Sequence, residues 1–307
     1  MIYVKIKTVE SVRRSPFFYV GDKFKLIPQI KKYFPIDINR FIEPFCGGGS
    51  VFLNVEAENY IINDINSYMI DLHSMLIKYS SNTDDFWDDV GNIINQYQLS
   101  ASFLGRTVPK EYKSNFIKTY YAKYNKEAYT KLRADFNDDK ADLLKLYILL
   151  IYGFNRMLRF NNNGDFNLPV GNVDFNHNVV NALNQYFEYV SSKEIILYNY
   201  DFEKFIQEIE PNQDDFIYFD PPYLISFSEY NKFWDIDTEK RLLALLDKLN
   251  NRNIRFAISN VIRHKNMYNE IFDKWSRKYN VHDIISNYIS FHDNTQKGSY
   301  EVLVTNY

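Results

Sequence analysis

Short runs of apolar residues recur along the chain, and each ends in a polar or Gly/Pro cluster. Their length and their β-branched and aromatic content predict strands. Because apolar character is nearly continuous within each run, we expect a sheet that is buried on both faces. The six predicted strands cover residues 40–45, 60–64, 194–198, 216–220, 254–259 and 302–305.

Helical spacing of apolar positions occupies much of the chain between these strands, for example over residues 237–249 and 266–279. Strands that alternate with helices predict the α/β class with a doubly wound, Rossmann-like sheet. The order of the elements therefore favours a fold that binds its ligands at one edge of the sheet.

The stretch from about residue 70 to 190 lacks a strand-like run and is expected to form a mainly helical insertion. Its strongest apolar run, residues 143–152, is too short to span a bilayer and includes Lys145, which predicts a buried helix. The predicted domains are therefore residues 1–72 with 190–307, and residues 73–189.

The composition limits the kinds of protein that the chain can be. Its 307 residues, 46% hydrophobic and 24% charged, suffice for one large α/β domain that carries a smaller one. The single cysteine excludes a disulfide scaffold and a cysteine-built zinc site, so no metal site is predicted, and it fits a reducing cytoplasm. Residues 1–7 lack the basic region and long apolar stretch of a signal peptide, so no membrane partner is predicted.

Charge is distributed unevenly along the chain. There are 36 Lys and Arg against 39 Asp and Glu, a net charge of −3. Residues 101–160 hold twelve basic and six acidic residues, which makes this part +6 and the remainder −9. A basic, aromatic-rich lobe is typical of a surface that grips a phosphate backbone. A solvated helical face is the alternative, and charge alone does not separate the two.

A glycine loop, Gly47-Gly48-Gly49, lies directly after the first predicted strand. Glycines allow the backbone to approach a ligand closely at the carboxyl end of a sheet, although a tight turn is the alternative. Asp64 closes the next strand, where an acid can accept hydrogen bonds from the ribose hydroxyls of a nucleoside-containing cofactor. Asp64 or Asn63 could instead cap the following helix. Together the two features favour a cofactor site.

The tetrapeptide Asp220-Pro221-Pro222-Tyr223 ends the fourth predicted strand. Two prolines cannot continue a strand ladder, and they leave the Pro221 carbonyl and the Asp220 carboxylate as acceptors. An amino group on a planar heterocycle fits these acceptors, because holding both of its hydrogens makes the nitrogen a better nucleophile. Tyr223 offers a face on which an extruded base can stack. A proline-stiffened loop is the alternative interpretation.

In this order the motifs resemble those of Dam-type, α-group N6-adenine DNA methyltransferases. The likeness extends over nearly the whole chain. It includes residues 18–23, similar to the Trp-x-Gly-Gly-Lys start of that family, and further segments at residues 45–50, 63–64, 153–160, 164–171, 220–223 and 297–307.

The resemblance implies S-adenosylmethionine as cofactor. It places an aromatic residue and a lysine near the cofactor, an acid on the ribose, and Asp220 at both the cofactor and the target amine. Asp201 and Phe202 match a segment that flanks the cofactor adenine, although they could also be a helix cap and core. The implied cofactor-binding residues are Tyr19, Lys23, Phe45, Gly47, Gly49, Asp64, Asp201, Phe202 and Asp220.

The resemblance also implies double-stranded DNA as partner, bound by the predicted helical domain 73–189, while the remaining domain binds S-adenosylmethionine. Phe154 would wedge into the space of a flipped base, or else be ordinary core, and Arg159 would donate two hydrogen bonds to a guanine edge. The implied DNA-binding residues are Phe154, Asn155, Met157, Arg159 and Pro169.

The chain departs from the family pattern at three positions. Phe18 stands where Dam-type enzymes often carry a lysine, and Asn172 where many carry an arginine. Since both lost charges belong to positions tied to target reading, GATC is not predicted as the site, and a four-base site containing adenine is. Asp22 replaces a glycine, which would reshape a loop without abolishing cofactor binding.

The expected activity is site-specific methylation of adenine N6 by base flipping and direct in-line transfer, within a restriction-modification system. A cognate restriction endonuclease and a bacterial or phage-type host cytoplasm are the expected partner and location. C5-cytosine methylation is excluded, because Cys46, the only cysteine, lies in the glycine loop. N4-cytosine or RNA N6-adenine methylation and an inactive DNA-binding protein of the same fold remain alternatives.

Overall fold

The computed structural model describes residues 12–225, 234–285 and 299–307. Its strands form one mixed sheet in the order β3-β2-β1-β4-β5-β8-β7, with β6 paired to β5. The strands are β1 (Arg40–Glu43), β2 (Asn59–Asn63), β3 (Glu194–Tyr198), β4 (Phe216–Phe219), β5 (Arg255–His264), β6 (Met267–Tyr268), β7 (Asn280–Ile284) and β8 (Ser299–Thr305).

The first five strands of this order run parallel, and β8 is antiparallel to both β5 and β7. Central strands such as β1 and β4 are almost wholly buried, as predicted, whereas β3 is partly exposed because it lies at the edge. The structure therefore confirms the predicted doubly wound α/β architecture and adds an antiparallel margin.

Ten α-helices lie in the described part of the chain, and most of the longer ones begin at an Asn or Asp side chain that accepts a backbone N–H. They are α1 (Ile27–Ile30), α2 (Ser67–Tyr79), α3 (Thr83–Tyr97), α4 (Lys110–Asn115), α5 (Tyr120–Asp138), α6 (Leu143–Tyr152), α7 (His177–Val190), α8 (Phe202–Ile209), α9 (Ile236–Asn251) and α10 (Glu270–Ser276).

All six predicted strands are present, and α6 coincides with the predicted buried helix at 143–152. The predicted helix at 266–279 is wrong over its first part. Met267 and Tyr268 form β6 against β5, and the Asn269 side chain then caps α10. The strand β7 has no predicted counterpart, because its Asn-Val-His-Asp-Ile sequence is mostly exposed and only its pairing with β8 makes it a strand.

Alternate residues of the central strands pack on opposite faces of the sheet. On one face Ile42, Ile217 and Phe256 meet α8, α9 and α10. On the other face Phe41, Tyr60 and Tyr218 join a larger cluster with apolar residues of α2, α3, α5, α6 and α7. The helical insertion therefore shares one hydrophobic core with the sheet.

The predicted domain division at 72/73 falls inside α2, and the division at 189/190 falls at the end of α7. These boundaries stay a prediction. None of the helices in the described part of the chain has the length and apolar content that a membrane crossing requires.

Candidate active site

Three adjacent strand ends form the candidate site. β2 and β4 flank β1 in parallel, with Phe41 paired to both Tyr60 and Phe216. Because parallel strands end at the same edge of a sheet, the loops that follow them are neighbours. This edge brings together the glycine loop, Asp64 and Asp220, which lie far apart in the sequence.

The glycine loop has a backbone that glycine alone adopts readily. Gly47 and Gly49 have φ angles of +46° and +74°. A Cβ on Gly49 would lie 2.2 Å from a ring carbon of Phe52. The Gly47 N–H donates to Asp64 Oδ2 at 2.9 Å, so the loop is fastened to the next strand end.

Asp64 has a second role at the start of α2. Its Oδ1 accepts a hydrogen bond from the Asn66 N–H at 2.9 Å, and Asn66 itself caps the helix by accepting from the Tyr68 N–H. The Asn63 side chain instead bonds Pro44 and Tyr200. Burial raises the pKa of Asp64, and its two backbone hydrogen bonds oppose that rise.

His73 on α2 holds the glycine loop from the other side. Its Nε2 lies 2.9 Å from the Gly47 carbonyl oxygen, and its Nδ1 lies 3.1 Å from the Tyr186 hydroxyl. A carbonyl only accepts, so Nε2 carries the proton and Nδ1 accepts from the tyrosine. Burial lowers the pKa of His73 to about 4, which keeps the ring neutral. His73 is not among the residues predicted from the sequence, because its position on the apolar face of α2 gives no sign of this contact.

The tetrapeptide carboxylate sits in a bonded cluster. Lys23 Nζ lies 2.8 Å from Asp220 Oδ1, and the Tyr223 hydroxyl donates to the same oxygen at 3.0 Å. Lys23 is almost fully buried, and its ammonium lies 5.0 Å from the centre of the Tyr223 ring. Asp220 Oδ2 makes no hydrogen bond to any described residue. One oxygen of Asp220 is thus held by two partners, and the other has none among the described residues.

Two further carboxylates, absent from the sequence-based prediction, lie around this cluster. Oε1 of Glu301 on β8 lies 3.3 Å from the Tyr223 hydroxyl, whose single hydrogen it shares with Asp220. Glu43, at the end of β1, is buried and accepts from the Phe52 N–H at 3.2 Å. Burial and the nearby charge of Asp220 raise the pKa of Glu43 well above its usual range. Carboxylates of β1 and β8 therefore border the Lys23–Asp220–Tyr223 cluster, and a linear reading of the sequence does not bring them together.

Tyr19 lies against the glycine loop. A Cβ on Gly47 would lie 3.6 Å from the Tyr19 ring, and one on Gly48 would lie 2.9 Å from the Tyr19 Cβ. Ser50 at the end of the loop accepts from the Lys23 N–H at 3.0 Å, so residues 19–23 and the loop form one unit.

An aromatic cluster lies beside the glycine loop on the other side. The rings of Phe45 and Phe202 are 5.6 Å apart, and Trp234 lies 5.6 Å from Phe45. Phe202 is buried, and Asp201 caps α8 and pairs with Arg241 at 2.9 Å. Asp201 is therefore a helix cap and Phe202 a core residue, and Phe202 also contacts Phe45, which precedes the glycine loop.

The predicted DNA-facing segment is a hairpin, residues 153–171. It lies outside the proposed cofactor edge, which is the edge of the sheet that holds the glycine loop, Asp64 and Asp220. The Phe154 N–H donates to the Pro169 carbonyl at 2.9 Å, and the Phe154 side chain is 50% exposed, which excludes the core alternative for that residue. Asn155 is exposed with φ +55°, whereas Met157 is half-buried against the main core. The hairpin thus presents Phe154 and Asn155 to solvent.

Arg159 is bonded within the hairpin. Its Nε donates to Asn167 Oδ1 at 2.9 Å, and its Nη2 donates to the Asn167 carbonyl at 2.8 Å. In this conformation only part of its fork of donors can face a base. Its proposed contact with guanine stays a prediction.

The two departures tied to target reading have structural explanations. Asn172 Oδ1 accepts from the Tyr121 N–H at 3.0 Å, and its amide donates to the Lys118 carbonyl at 3.0 Å, which fastens the start of α5 to the hairpin. The Phe18 ring carries the guanidinium groups of Arg156 and Arg14 at 4.2 and 4.6 Å. Two of the resemblance motif's residues, Lys297 and Gly298, lie outside the described residues.

The arrangement of these residues matches a known family of proteins. The family model for D12 class N6 adenine-specific DNA methyltransferases matches residues 19–288, from the aromatic residue on the glycine loop to beyond β7. The chain belongs to this family. The match spans the glycine loop, the helical insertion and the Asp220–Tyr223 tetrapeptide.

Curated proteins related to the chain include methyltransferases and methylases from several bacteria. The chain is 35% identical over 303 residues to the type II methyltransferase M.FokI of Planomicrobium okeanokoites, covering 96% of the chain and 43% of that protein. It is 32% identical over 316 residues to the modification methylase StsI of Streptococcus sanguinis, covering 99% of the chain and 44% of that protein. A DNA adenine methylase of Haemophilus influenzae is 31% identical over 216 residues, covering 69% of the chain and 65% of that protein. The chain therefore spans less than half the length of the first two.

Proposed function

We propose that the chain is a site-specific DNA methyltransferase that transfers a methyl group from S-adenosylmethionine to adenine N6 in a short duplex sequence. The observation that carries this proposal is the Lys23–Asp220–Tyr223 cluster at the sheet edge that also holds the glycine loop. Its mechanism is extrusion of the base followed by direct in-line transfer, without a covalent enzyme intermediate.

The residues at this edge fit the proposed cofactor. Asp64 supplies carboxylate oxygens suited to ribose hydroxyls, and the Gly47–Gly49 backbone allows close approach. The rings of Phe45 and Phe202 offer apolar surface suited to an adenine ring. When bound, S-adenosylmethionine supplies an activated methyl group on a positively charged sulfur.

Asp220 is the proposed acceptor for the target amine. Lys23 and the Tyr223 hydroxyl hold its Oδ1, which leaves Oδ2 to accept one hydrogen of the adenine amino group. The carbonyl of Pro221 accepts the other hydrogen, and Pro222 keeps this backbone extended. Two acceptors on one amine localise its lone pair toward the methyl group, and this prepaid positioning supplies much of the acceleration.

DNA would bind across the hairpin and the basic part of the insertion. Phe154, exposed next to Asn155, is placed to fill the space of the extruded base. We assign phosphate contacts to the lysines of α4 and α5, where Tyr112 and Phe116 are also half-exposed. Arg159, Met157 and Pro169 complete the proposed DNA-binding set, and residues 73–189 form the proposed target-recognition domain.

We assign the chain to a restriction-modification system in a bacterial or phage-type cytoplasm, with a cognate endonuclease that acts on the same site. The relatives named type II methyltransferase and modification methylase support this assignment. A four-base site that contains adenine remains the proposed target.

The proposal is tested by incubating the protein with labelled S-adenosylmethionine and unmethylated duplex DNA, then sequencing the product for modified positions. We expect label at adenine N6 in one short sequence, and Asp220→Ala is expected to abolish it. Label in RNA, or at cytosine N4, would mean that the enzyme acts on that substrate and not on adenine in DNA. Binding of DNA without any transfer would leave an inactive DNA-binding protein, and full activity of Asp220→Ala would refute the role of the carboxylate.

A further inference from the structure

Strained backbone converges on one place between the hairpin and the cofactor edge. Phe18, Asn155 and Arg156 all have left-handed backbones, with φ of +49°, +55° and +50°. Side chains disfavour this conformation, so it persists where the surroundings enforce it, commonly at functional sites. Here the strain places the Phe18 ring and the Arg156 guanidinium in contact, 4.2 Å apart.

Phe18 is a platform for two cations. Arg14 also lies over this ring, at 4.6 Å, and over the Phe24 ring at 4.9 Å. A guanidinium that stacks on a ring uses its flat face, and its N–H edge stays available for hydrogen bonds. Nε of Arg156 donates to the Ile151 carbonyl at 3.5 Å, which leaves its two Nη groups as a fork.

The negative charge near this arginine pair, Arg14 and Arg156, is small. Asp22 lies 4.0 Å from Arg14, at the limit of an ion pair, and Arg156 has no carboxylate within 4.0 Å among the described residues. Burial lowers the pKa of Arg156, the charge of Arg14 lowers it further, and Tyr147 and Asp174 oppose this effect. Two like charges on one ring, one of them half-buried, repel each other and favour the binding of an anion.

The position of Arg14 and Arg156 indicates which anion they bind. Tyr19, next to Phe18, lies on the glycine loop, and Arg156 follows the exposed Phe154 and Asn155. A DNA strand that passes from the hairpin to the cofactor edge would cross this point. A phosphodiester group carries the charge and the planar pairs of oxygens that guanidinium forks bind.

We propose that Arg14 and Arg156, held on Phe18, bind the DNA backbone phosphates beside the extruded adenine. This inference rests on the proposed function. The pair anchors the strand while the base leaves the helix, and it carries no sequence information. The two arginines stacked on Phe18 thereby supply positive charge at a position where Dam-type enzymes often carry a lysine.

The test measures how the affinity for DNA depends on salt. A labelled duplex that carries the sequence found by methylation sequencing is titrated with the protein over a series of NaCl concentrations. For R14Q and R156Q we expect the slope of log K against log[NaCl] to fall by about one each, and by about two in the double variant. Binding of S-adenosylmethionine, measured by calorimetry, should not change.

Matched variants separate charge from folding. R156K keeps the charge and should keep most of the slope, whereas R277Q, which removes an exposed arginine that is paired with Asp273 on α10, should leave the slope unchanged. Because Arg14 is exposed, R14Q tests the pair even where R156Q unfolds.

Different failures have different meanings. An unchanged slope in R14Q and R156Q, in a wild-type protein that methylates DNA, would overturn the phosphate assignment alone. An unchanged slope with relaxed preference at one base pair would make Arg156 a base-reading residue and would also overturn it. Wild-type protein that binds S-adenosylmethionine but neither binds nor methylates DNA would overturn the proposed function itself.

Discussion

The proposed cofactor edge of the sheet and the 153–171 hairpin differ in how far their side chains are buried and bonded to other segments. At the edge, Lys23, Asp220 and Tyr223 are bonded to one another, and the cluster is largely buried. On the hairpin, Phe154 is exposed, while Arg159 is bonded only to the hairpin itself. The polar groups of the edge are thus fixed to one another, whereas the hairpin leaves Phe154 and Asn155 exposed to solvent.

The largest effect is expected from removing the cation of the edge. Lys23→Met leaves Asp220 and Glu43 without their shared ammonium, and loss of one partner of a buried pair costs about 3–5 kcal/mol of unfolding free energy. We also expect the transfer rate to fall by about 100-fold, as for loss of an organising electrostatic group. Urea unfolding and a single-turnover methyl-transfer assay measure both.

The control for this variant is Lys278→Met, which removes a surface pair with Asp247. Such pairs contribute about 0–1 kcal/mol, so the protein should stay near wild-type stability. Equal effects of the two variants would contradict the contrast between a fixed edge and an ordinary surface.

Gly49→Ala tests how tightly the glycine loop is packed. The new methyl group would lie 2.2 Å from the Phe52 ring on a backbone with φ +74°. Overpacking and the left-handed backbone together should cost about 2–4 kcal/mol, measured by thermal or urea unfolding. Gly91→Ala, in α3 with open space around it, should instead stabilise the protein by about 0.5–1 kcal/mol. If Gly49→Ala were neutral, the loop would be free to move.

His73 predicts a pH dependence of stability. Its pKa is about 4 in the folded protein and near 6.5 when unfolded, so between these values only the unfolded state takes up the proton. The contribution of His73 to the free energy of unfolding is therefore fully present above pH 6.5. It falls by about 2–3 kcal/mol as the pH drops toward 4. Unfolding curves of His73→Gln should show a shallower acid loss than wild type. His177→Gln, at an exposed position on α7, is the control and should follow wild type.

The smallest effect is expected on the hairpin. Phe154→Ala removes an exposed ring, so stability should change by less than about 0.5 kcal/mol. The ratio kcat/KM for duplex DNA should fall by about tenfold, as for loss of one stacking or wedging contact. Ile36→Ala, which removes an exposed side chain before β1, should change neither quantity. A loss of stability in Phe154→Ala without a loss of activity would make Phe154 a structural residue.

The sequence predicted the parts of the site that depend on local pattern. The glycine loop, Asp64 and the Asp220–Tyr223 tetrapeptide each follow a short apolar strand, and strand ends meet at one edge in this class of fold. The structure therefore has these segments at the predicted strand ends, after β1, β2 and β4.

The missing parts depend on contacts between distant segments. His73 reaches Gly47 from a helix whose pattern shows only an apolar face, and Glu301 reaches Tyr223 from a strand 78 residues away. The paired arginines on Phe18 need the backbone conformations of two separate segments. The edge strand β7 likewise exists through its neighbour rather than through its own apolar content.

The common core has a consequence for how new target specificities arise. Tyr186 of α7, which bonds His73, packs in the same cluster as Tyr60 of the sheet, so the helical insertion cannot be exchanged as a self-contained cassette. A chimera that replaced it whole would also have to keep the contact between His73 and Gly47, which lies outside the insertion. Substitutions that leave this shared core intact are therefore expected to be tolerated at outward-facing hairpin positions such as Phe154 and Asn155, which are exposed.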